Sequence, residues 1–223
     1  MSKVLGKVIY DRFSEGFTIQ NLEETFGIDK ENIKKLLKEY RKDVNEYNSD
    51  HVYEKYELNE RFFNKINPKT ILDAFCGVSR YWATEYSGAA SVISNDNMLD
   101  LNAKPDEGYT YNAKTLLKKF YKEGVFFDLI DIDPYNSSKD YIDLGFELSK
   151  KGVIFTFGEF PRVKRYHKKY LNYFRKNFGI DSSSDDMTIE KFSEYLVERS
   201  DGKFKVFGIG EWKTCCRIYL ERR

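Results

Sequence analysis

The sequence has few of the residues that stabilise small secreted domains or build metal centres. Among 223 residues there are three cysteines, two histidines and four prolines. Three cysteines, two of them adjacent at Cys215 and Cys216, cannot form a disulfide framework, so we expect a reducing compartment and a cytoplasmic location. Because His51 and His167 are the only imidazoles and no C-x-x-C pair occurs, we expect no metal site.

An excess of charge of one sign and long apolar runs are also missing. The 37 Lys and Arg side chains nearly balance 36 Asp and Glu, which excludes a uniformly basic coat for nucleic acid. The apolar runs are far shorter than a membrane span, and Asp11 and Glu15 interrupt the first residues. We therefore expect neither a membrane anchor nor a secretory signal. The hydrophobic share of 41% is sufficient for a full core.

From about residue 68 onward, short apolar runs alternate with amphipathic stretches. The runs predict strands at 70–75, 89–94, 125–132, 151–157, 204–208 and 215–220, and the stretches between the first four predict helices near 79–87, 112–122 and 138–150. This alternation favours an α/β fold with a doubly wound, mostly parallel sheet and an antiparallel C-terminal strand pair. Such sheets bind ligands at the carboxyl ends of their strands.

The residues before the predicted sheet are helical in pattern. A short helix over 18–26 ends at Gly27, and Asp29 is placed to cap a second helix over 30–46. The spacing resembles a helix-turn-helix, but residues 1–60 hold ten basic and thirteen acidic side chains, which weakens a DNA-binding interpretation. A helical cap over the ligand cleft is the alternative. We expect two domains, a small helical N-terminal extension over 1–60 and the α/β domain over 61–223.

Polar residues lie at the ends of two predicted strands and at the start of one predicted helix, all at the expected edge of the sheet. Asp73 ends the first strand, and Gly77 forms a turn that can bring backbone N–H groups against a ligand. Asp96 follows about twenty residues later, where a carboxylate can bind ribose hydroxyls. Asn112 and Ala113 open a helix, where the amide could accept from an adenine amino group or simply cap the helix.

Two acids alternate at the end of the strongest apolar run, F-F-D-L-I-D-I-D-P-Y. Asp131 and Asp133 fall on the same face of the strand, and such acids are costly to bury unless they are paired or used. Pro134 and Tyr135 then form a turn that places an aromatic ring beside a carboxylate. A buried capping acid with a turn proline is the plainer alternative.

Taken in order, these motifs resemble the class I S-adenosylmethionine-dependent methyltransferases over residues 68–222, and the likeness is closest to the tRNA guanine-N2 methyltransferases of archaea and eukaryotes. The resemblance implies a Rossmann-like sheet of seven strands. It implies S-adenosyl-L-methionine as cofactor, with these binding residues: Asp73, Phe75, Gly77, Asp96, Asn112, Ala113 and Asp131. It also implies a catalytic site for the methyl acceptor at Asp133, Pro134 and Tyr135.

Three positions depart from that family's pattern. Ser79 stands where a glycine is usual, Asn112 replaces an aspartate, and Asn136 replaces a glycine. These departures leave open a non-catalytic nucleic-acid-binding module that keeps the fold. The retained acids, Asp73 and Asp133 among them, favour an enzyme.

Residues 161–180 concentrate positive charge. They contain no acid and seven basic side chains: Arg162, Lys164, Arg165, Lys168, Lys169, Arg175 and Lys176. Four aromatic side chains are interleaved with them: Tyr166, Tyr170, Tyr173 and Phe174. The mixture suits phosphate neutralisation and base stacking, although an amphipathic helix with inward aromatics is the alternative. We expect a nucleic-acid partner, RNA rather than DNA, methylated on an exocyclic amino nitrogen such as guanine N2 of tRNA. DNA amino-methylation is the second hypothesis.

Overall fold

A computed structural model of the chain describes residues 5, 8–9, 12, 19–44, 52–77, 81–96, 108–109, 111–134, 137–160, 172–180, 187–212 and 215–223. The chain divides into two compact units, Met1–Ser49 and Asp50–Arg223. The division therefore precedes the expected one at residue 60, which falls inside a helix over Val52–Ile66.

The first unit includes two helices joined by a tight turn, α1 (Ile19–Phe26) and α2 (Lys30–Val44). Gly27 between them has a φ of 62°, a left-handed conformation that favours glycine and ends α1. Asp29 caps α2, because its Oδ1 accepts the backbone N–H groups of Glu31 at 3.1 Å and Asn32 at 3.0 Å. The predicted stop and cap are both confirmed. The core of this unit consists of Ile9, Leu22, Ile33, Leu36 and Leu37.

The second unit begins with α3 (Val52–Ile66) and continues as an alternation of strands and helices. Its strands are β1 (Thr70–Asp73), β2 (Ser91–Asn95), β3 (Gly108–Tyr109), β4 (Phe127–Ile132), β5 (Ser149–Phe157), β6 (Phe204–Glu211) and β7 (Cys216–Arg222). The further helices with complete bounds are α4 (Tyr81–Tyr86), α5 (Ala113–Glu123), α6 (Ile142–Leu148) and α7 (Ile189–Arg199), and a 3₁₀ turn at Lys139–Tyr141 precedes α6. Among the described helices, none is both long and apolar enough to cross a membrane.

The described strands form one sheet in the order β3-β2-β1-β4-β5-β7-β6. Pairing is parallel from β3 to β5, and β7 is antiparallel to both β5 and β6. The predicted α/β class, with a mostly parallel sheet and an antiparallel C-terminal pair, is confirmed. Strand order reverses between β1 and β4, and doubly wound sheets bind ligands at that crevice. The two-residue β3 was not predicted, because so short a segment carries no periodic signal.

Alternation along the strands divides their side chains between two layers of helices. One face carries Leu72, Ile130 and Phe155 in the core that includes α5, α6 and α7. The opposite face carries Ile71 and Leu129 in a core with side chains of α3 and α4. Because side chains alternate, the next residues on that second face are acids at the ends of β1 and β4. The face covered by α3 is thus apolar along the strands and charged at their carboxyl ends.

Helix α3 packs closely against β5 at Gly152. A Cβ atom at this position would lie 2.6 Å from Phe62 Cζ and 3.0 Å from Ile66 Cδ1. Both neighbouring side chains are buried, so neither can move aside without disturbing the core. The absence of a side chain at residue 152 therefore sets how closely α3 approaches the sheet.

We expect Gly152→Ala to lower the free energy of unfolding by roughly 1–3 kcal/mol, because it overpacks a filled core. Chemical denaturation measures the change. Gly88→Ala is the matched control, since a Cβ there meets nothing within 4 Å, and we expect its effect to stay within about 0.5 kcal/mol. Equal effects of the two substitutions would contradict this packing of α3.

Candidate active site

Arg217 lies at the centre of a buried group of charges at the carboxyl ends of the strands. Its side chain is 1% exposed. Nη2 donates to Asp131 Oδ2 at 2.7 Å, and Nη1 donates to Asp133 Oδ2 at 2.6 Å. The prediction that these two acids share a face is confirmed, because both reach one guanidinium. Since β7 is antiparallel to β5, Arg217 near its start pairs with Thr156 near the end of β5.

Helices α3 and α4 complete the surroundings of this guanidinium. Trp82 of α4 donates from Nε1 to Asp131 Oδ2 at 2.7 Å. Asn59 of α3 is fully buried, and its Oδ1 accepts from the Tyr219 hydroxyl at 2.9 Å. Burial raises the pKa of Tyr219 to about 12, so the hydroxyl stays protonated and donates. Lys55 of α3 donates from Nζ to Asp133 Oδ2 at 2.6 Å.

Asp73 is the third carboxyl of the group and lies beside Asp131 on the neighbouring strand. Burial raises the pKa of Asp73 well above its ordinary value, and the nearby Asp131 and Asp133 carboxyls raise it further. Burial also opposes ionisation of Asp133, but the charges of Lys55 and Arg217 outweigh it and lower the pKa of that acid. Among the described residues, three carboxyls and two cations therefore meet at this edge, and Asp73 is the carboxyl whose pKa is raised.

The turn after β1 is fastened to the end of β2. Gly77 has a φ of 55°, in the left-handed region, and its backbone N–H donates to Asp96 Oδ2 at 3.0 Å. The Cys76 N–H donates to the Asn95 carbonyl, and Asn95 Nδ2 donates to the Ala74 carbonyl, both at 3.0 Å. The structure thus brings Asp73, Gly77 and Asp96 to one edge of the sheet.

Asn112 acts as the N-cap of α5. Its Oδ1 accepts the backbone N–H groups of Lys114 at 3.1 Å and Thr115 at 3.3 Å. The capping alternative is therefore confirmed, and a contact between Asn112 and adenine stays a prediction. The amide nitrogen, a donor, is the group that Asn112 can offer. Ala113 is buried, as first residue of the helix.

Of the remaining predicted cofactor-binding and catalytic residues, two lie around the same edge and one lies outside the described residues. Phe75 is partly buried, with its ring 5.2 Å from that of Tyr141 in an edge-on contact. Pro134 is half-buried directly after Asp133. Tyr135, the third predicted catalytic residue, lies outside the described residues, as do Ser79 and Asn136.

Ser138 anchors the loop that carries Asp133 and Pro134. Its Oγ is buried, lies 2.7 Å from the Thr156 carbonyl and 2.9 Å from the Ile132 carbonyl, and accepts the Thr156 N–H at 3.0 Å. These contacts tie the loop after β4 to the end of β5. The position of Asp133 is therefore fixed from both sides, by Ser138 through the backbone and by Arg217 through the side chain.

Only residues 172–180 of the basic segment fall within the described residues. Its predicted nucleic-acid-binding residues Arg162, Lys164, Arg165, Lys168 and Lys169 lie outside the described residues, while Arg175 and Lys176 are exposed in a helical stretch over 172–178. Phe174 of that stretch is fully buried and packs against Phe160 and Phe192. The hypothesis that Phe174 stacks on a base is therefore wrong, because this ring belongs to the core.

Sequence reasoning missed Lys55, Asn59, Trp82 and Arg217. Arg217 could have been found with the argument used for Asp131, since it interrupts the apolar strand C-C-R-I-Y-L and a buried charge requires a partner. Lys55 and Asn59 carried no such signal, because α3 was assigned to the N-terminal extension. Within the described part of the chain, no group of three or more His, Cys, Asp or Glu side chains is arranged to hold a metal ion.

The raised pKa of Asp73 predicts a dependence of stability on pH. In the unfolded chain this carboxyl titrates near its ordinary pKa of about 4, whereas the folded protein keeps the proton to higher pH. The parent therefore loses stability as pH rises from about 4 towards the folded-state pKa of Asp73. Asp73→Asn resembles the protonated acid and cannot ionise, so this variant does not lose stability through residue 73 as pH rises.

We thus expect the advantage of Asp73→Asn in free energy of unfolding to grow with pH over that window, as measured by denaturation at several pH values. Asp140→Asn, at an exposed acid of the turn before α6, controls for the loss of one charge. An advantage that does not change with pH would show that Asp73 is ionised in the folded protein.

Comparisons with known proteins agree with this fold. No protein-family profile matches the chain, and no curated protein matches it in sequence. The structure resembles a complex of Trm1 from Pyrococcus horikoshii with S-adenosyl-L-methionine, with a TM-score of 0.53 and 14% identity over 72% of this chain and 52% of that one. It is also similar to the N-methyltransferase NodS from Bradyrhizobium japonicum, with a TM-score of 0.49 and 10% identity over 78% of this chain and 98% of that one. This chain spans about half the length of Trm1, and the two share a fold.

Proposed function

We propose that the protein is an S-adenosylmethionine-dependent methyltransferase. The observation that carries this proposal is the charge imbalance at the carboxyl ends of β1 and β4, where Asp73, Asp131 and Asp133 face two cations, Lys55 and Arg217. Over the residues that the structure describes, the carboxyls of this group outnumber the cations. S-adenosylmethionine carries an ammonium and a sulfonium, so its positive charge would compensate the Asp73 carboxyl and lower the pKa of that acid.

The residues around this edge fit the other parts of the cofactor. Asp96, held against the Gly77 turn, is a carboxylate at the end of β2, where ribose hydroxyls bind in doubly wound folds. Asp131 Oδ1 is buried and makes no hydrogen bond to any described residue, so a polar group of a ligand would satisfy it. Asn112 Nδ2 can donate to a ring nitrogen of adenine. The likeness in fold to Trm1, which forms a complex with S-adenosyl-L-methionine, supports the choice of this cofactor.

When bound, the cofactor supplies an activated methyl group, and the chain has to hold the acceptor in line with it. An exocyclic amine of a base is a poor nucleophile, because its lone pair is delocalised into the ring. The Asp133 carboxylate can accept a hydrogen bond from the amine N–H and so localise that lone pair. Pro134 follows directly and offers its carbonyl as a second acceptor. An exocyclic amino nitrogen is therefore the acceptor that the site suits best.

For the acceptor molecule we propose RNA, with guanine N2 of tRNA as the first candidate. The resemblance around Asp133 and Pro134 favours this choice, and the exposed Arg175 and Lys176 suit phosphate contacts. DNA amino-methylation is the second candidate, supported by the helix-turn-helix spacing of α1 and α2 in the helical extension. A non-catalytic binding module is the third, and it rests on the departures at Ser79, Asn112 and Asn136.

We expect the parent protein to bind S-adenosylmethionine in isothermal titration calorimetry. Asp96→Ala should weaken binding by about 1.5–3 kcal/mol, because it removes hydrogen bonds to a charged acceptor. Glu85→Ala, at an exposed acid of α4, is the control and should bind like the parent. A parent protein that binds no cofactor would refute the proposal and favour the non-catalytic module.

The acceptor is identified by mass spectrometry of nucleosides after incubation with labelled cofactor, with unmodified tRNA transcripts and DNA duplexes in parallel. We expect label in N2-methylguanosine of tRNA. Asp133→Ala should reduce turnover by orders of magnitude with little change in cofactor affinity. Asp133→Asn keeps an acceptor oxygen and should retain more activity than the alanine variant. Label in DNA alone would select the second candidate, and full activity of a folded Asp133→Ala variant would exclude Asp133 as the amine-binding group.

A further inference from the structure

Lys55 and Arg217 bind the same oxygen of Asp133, although they belong to elements that are far apart in the sequence. Lys55 Nζ, from α3, lies 2.6 Å from Asp133 Oδ2, and Arg217 Nη1, from β7, also lies 2.6 Å from it. Neither ion pair uses Oδ1. The two cations therefore hold the carboxyl by one oxygen, and the Thr156 side chain is a further hydrogen-bonding neighbour of this acid. Because the Asp133 side chain is 24% exposed, Oδ1 can accept a hydrogen bond from a further donor.

The two cations differ in what else they contact. Arg217 is 1% exposed and also binds Asp131, so its removal would leave a second buried acid without its cation. Lys55 is 24% exposed, and Asp133, also 24% exposed, is its ion-pair partner. Arg217 thus belongs to the core of the sheet, whereas Lys55 lies at the solvent-facing side of the same carboxyl. A change at Lys55 removes an ion-pair partner of Asp133 and leaves the ion pair between Arg217 and Asp131 in place.

We propose that Lys55 is a positioning residue for the methyl-acceptor site, which holds the Asp133 carboxyl in the orientation that presents Oδ1 to the acceptor amine. This role rests on the proposed methyltransferase function. Lys55 does not contact the reacting atoms in this account, and it acts through Asp133. Helix α3, which precedes the alternating strands and helices, therefore contributes a residue to the acceptor site.

The charges around Asp133 give this role a measurable consequence. Within the described part of the chain, the titratable or charged groups that face it are Lys55 from α3, Arg217 and Tyr219 from β7, Asp73 from β1 and Asp131 from β4. Two cations keep Asp133 ionised at low pH, and Lys55 supplies one of them. Without Lys55, a single cation faces several acids, so Asp133 takes up a proton at higher pH. The ionised form is the one that accepts the amine N–H, so the acidic limb of the turnover profile shifts in the same direction.

Three variants test this role. Lys55→Met removes the charge at nearly constant size, and Lys55→Arg retains it. Lys65→Met is the matched control, because Lys65 lies on the same helix, is 51% exposed, and pairs only at 3.8 Å with Glu221. Thermal unfolding and calorimetry with S-adenosylmethionine establish that each variant is folded and binds cofactor.

The titration of Asp133 is followed by carboxyl ¹³C NMR, with the signal assigned by Asp133→Asn, and turnover on tRNA transcripts is measured across pH. In Lys55→Met we expect the Asp133 midpoint and the acidic limb to rise together by about 1–3 pH units. We expect kcat to fall about 100-fold while KM for the cofactor changes little. Lys55→Arg should restore both midpoint and rate, and Lys65→Met should match the parent.

An active parent whose Asp133 midpoint or acidic limb is unmoved in Lys55→Met would overturn the role of Lys55 alone. So would a loss of rate that Lys55→Arg fails to restore. A parent that neither binds cofactor nor transfers a methyl group would overturn the proposed function and this role with it, and the NMR titration would then report only a structural ion pair. The two failures are therefore distinguishable.

Discussion

The buried ion pair between Arg217 and Asp131 is the interaction on which the rest of the candidate site depends. Taking one charge out of water without its partner costs several kcal/mol, so neither side chain can occupy this position alone. Once the guanidinium is present, its second terminal nitrogen, Nη1, can bind another acid, and it pairs with Asp133. One arginine therefore sets the positions of two acids at the end of β4. Asp73 on the neighbouring strand has no ion-pair partner among the described residues.

Helix α3 is part of this site as well as of the packing. Its inner surface places Phe62 and Ile66 against β5 at Gly152, and one to two turns earlier it places Asn59 and Lys55 at the polar end of the same sheet face. The close approach at the glycine therefore determines how near the lysine comes to Asp133. This connection links a steric feature of the core to the electrostatics of the acceptor site, and it explains why the compact unit begins before α3.

Much of the fold follows from the sequence because its signals are local. Strong apolar runs predicted β4, and Gly27 and Asp29 marked the boundaries of α1 and α2. The site was predicted where polar residues follow strands, as at Asp73 and Asp96, because the sheet itself dictates that edge.

What escaped prediction depends on contacts between residues distant in sequence. Lys55 and Asp133 are 78 positions apart, and Asn59 and Arg217 are 158 apart, so no periodicity or spacing connects them. Asn112 was ambiguous for a different reason, since one amide can cap a helix or bind a ligand, and only the geometry of its oxygen decides. For Phe174, base stacking and core packing both stayed open, because a basic neighbourhood does not reveal which way a ring points.

We propose that the carboxyls at the ends of β1 and β4 bind the cationic end of S-adenosylmethionine. A crystal structure of the protein with S-adenosylhomocysteine, which retains the ammonium group, tests this proposal. We expect the ammonium beside the Asp73 carboxyl, the ribose hydroxyls on Asp96 and the sulfur directed towards Asp133. A nucleoside bound elsewhere on the chain, or an Asp73 carboxyl without contact to the ligand, would contradict it.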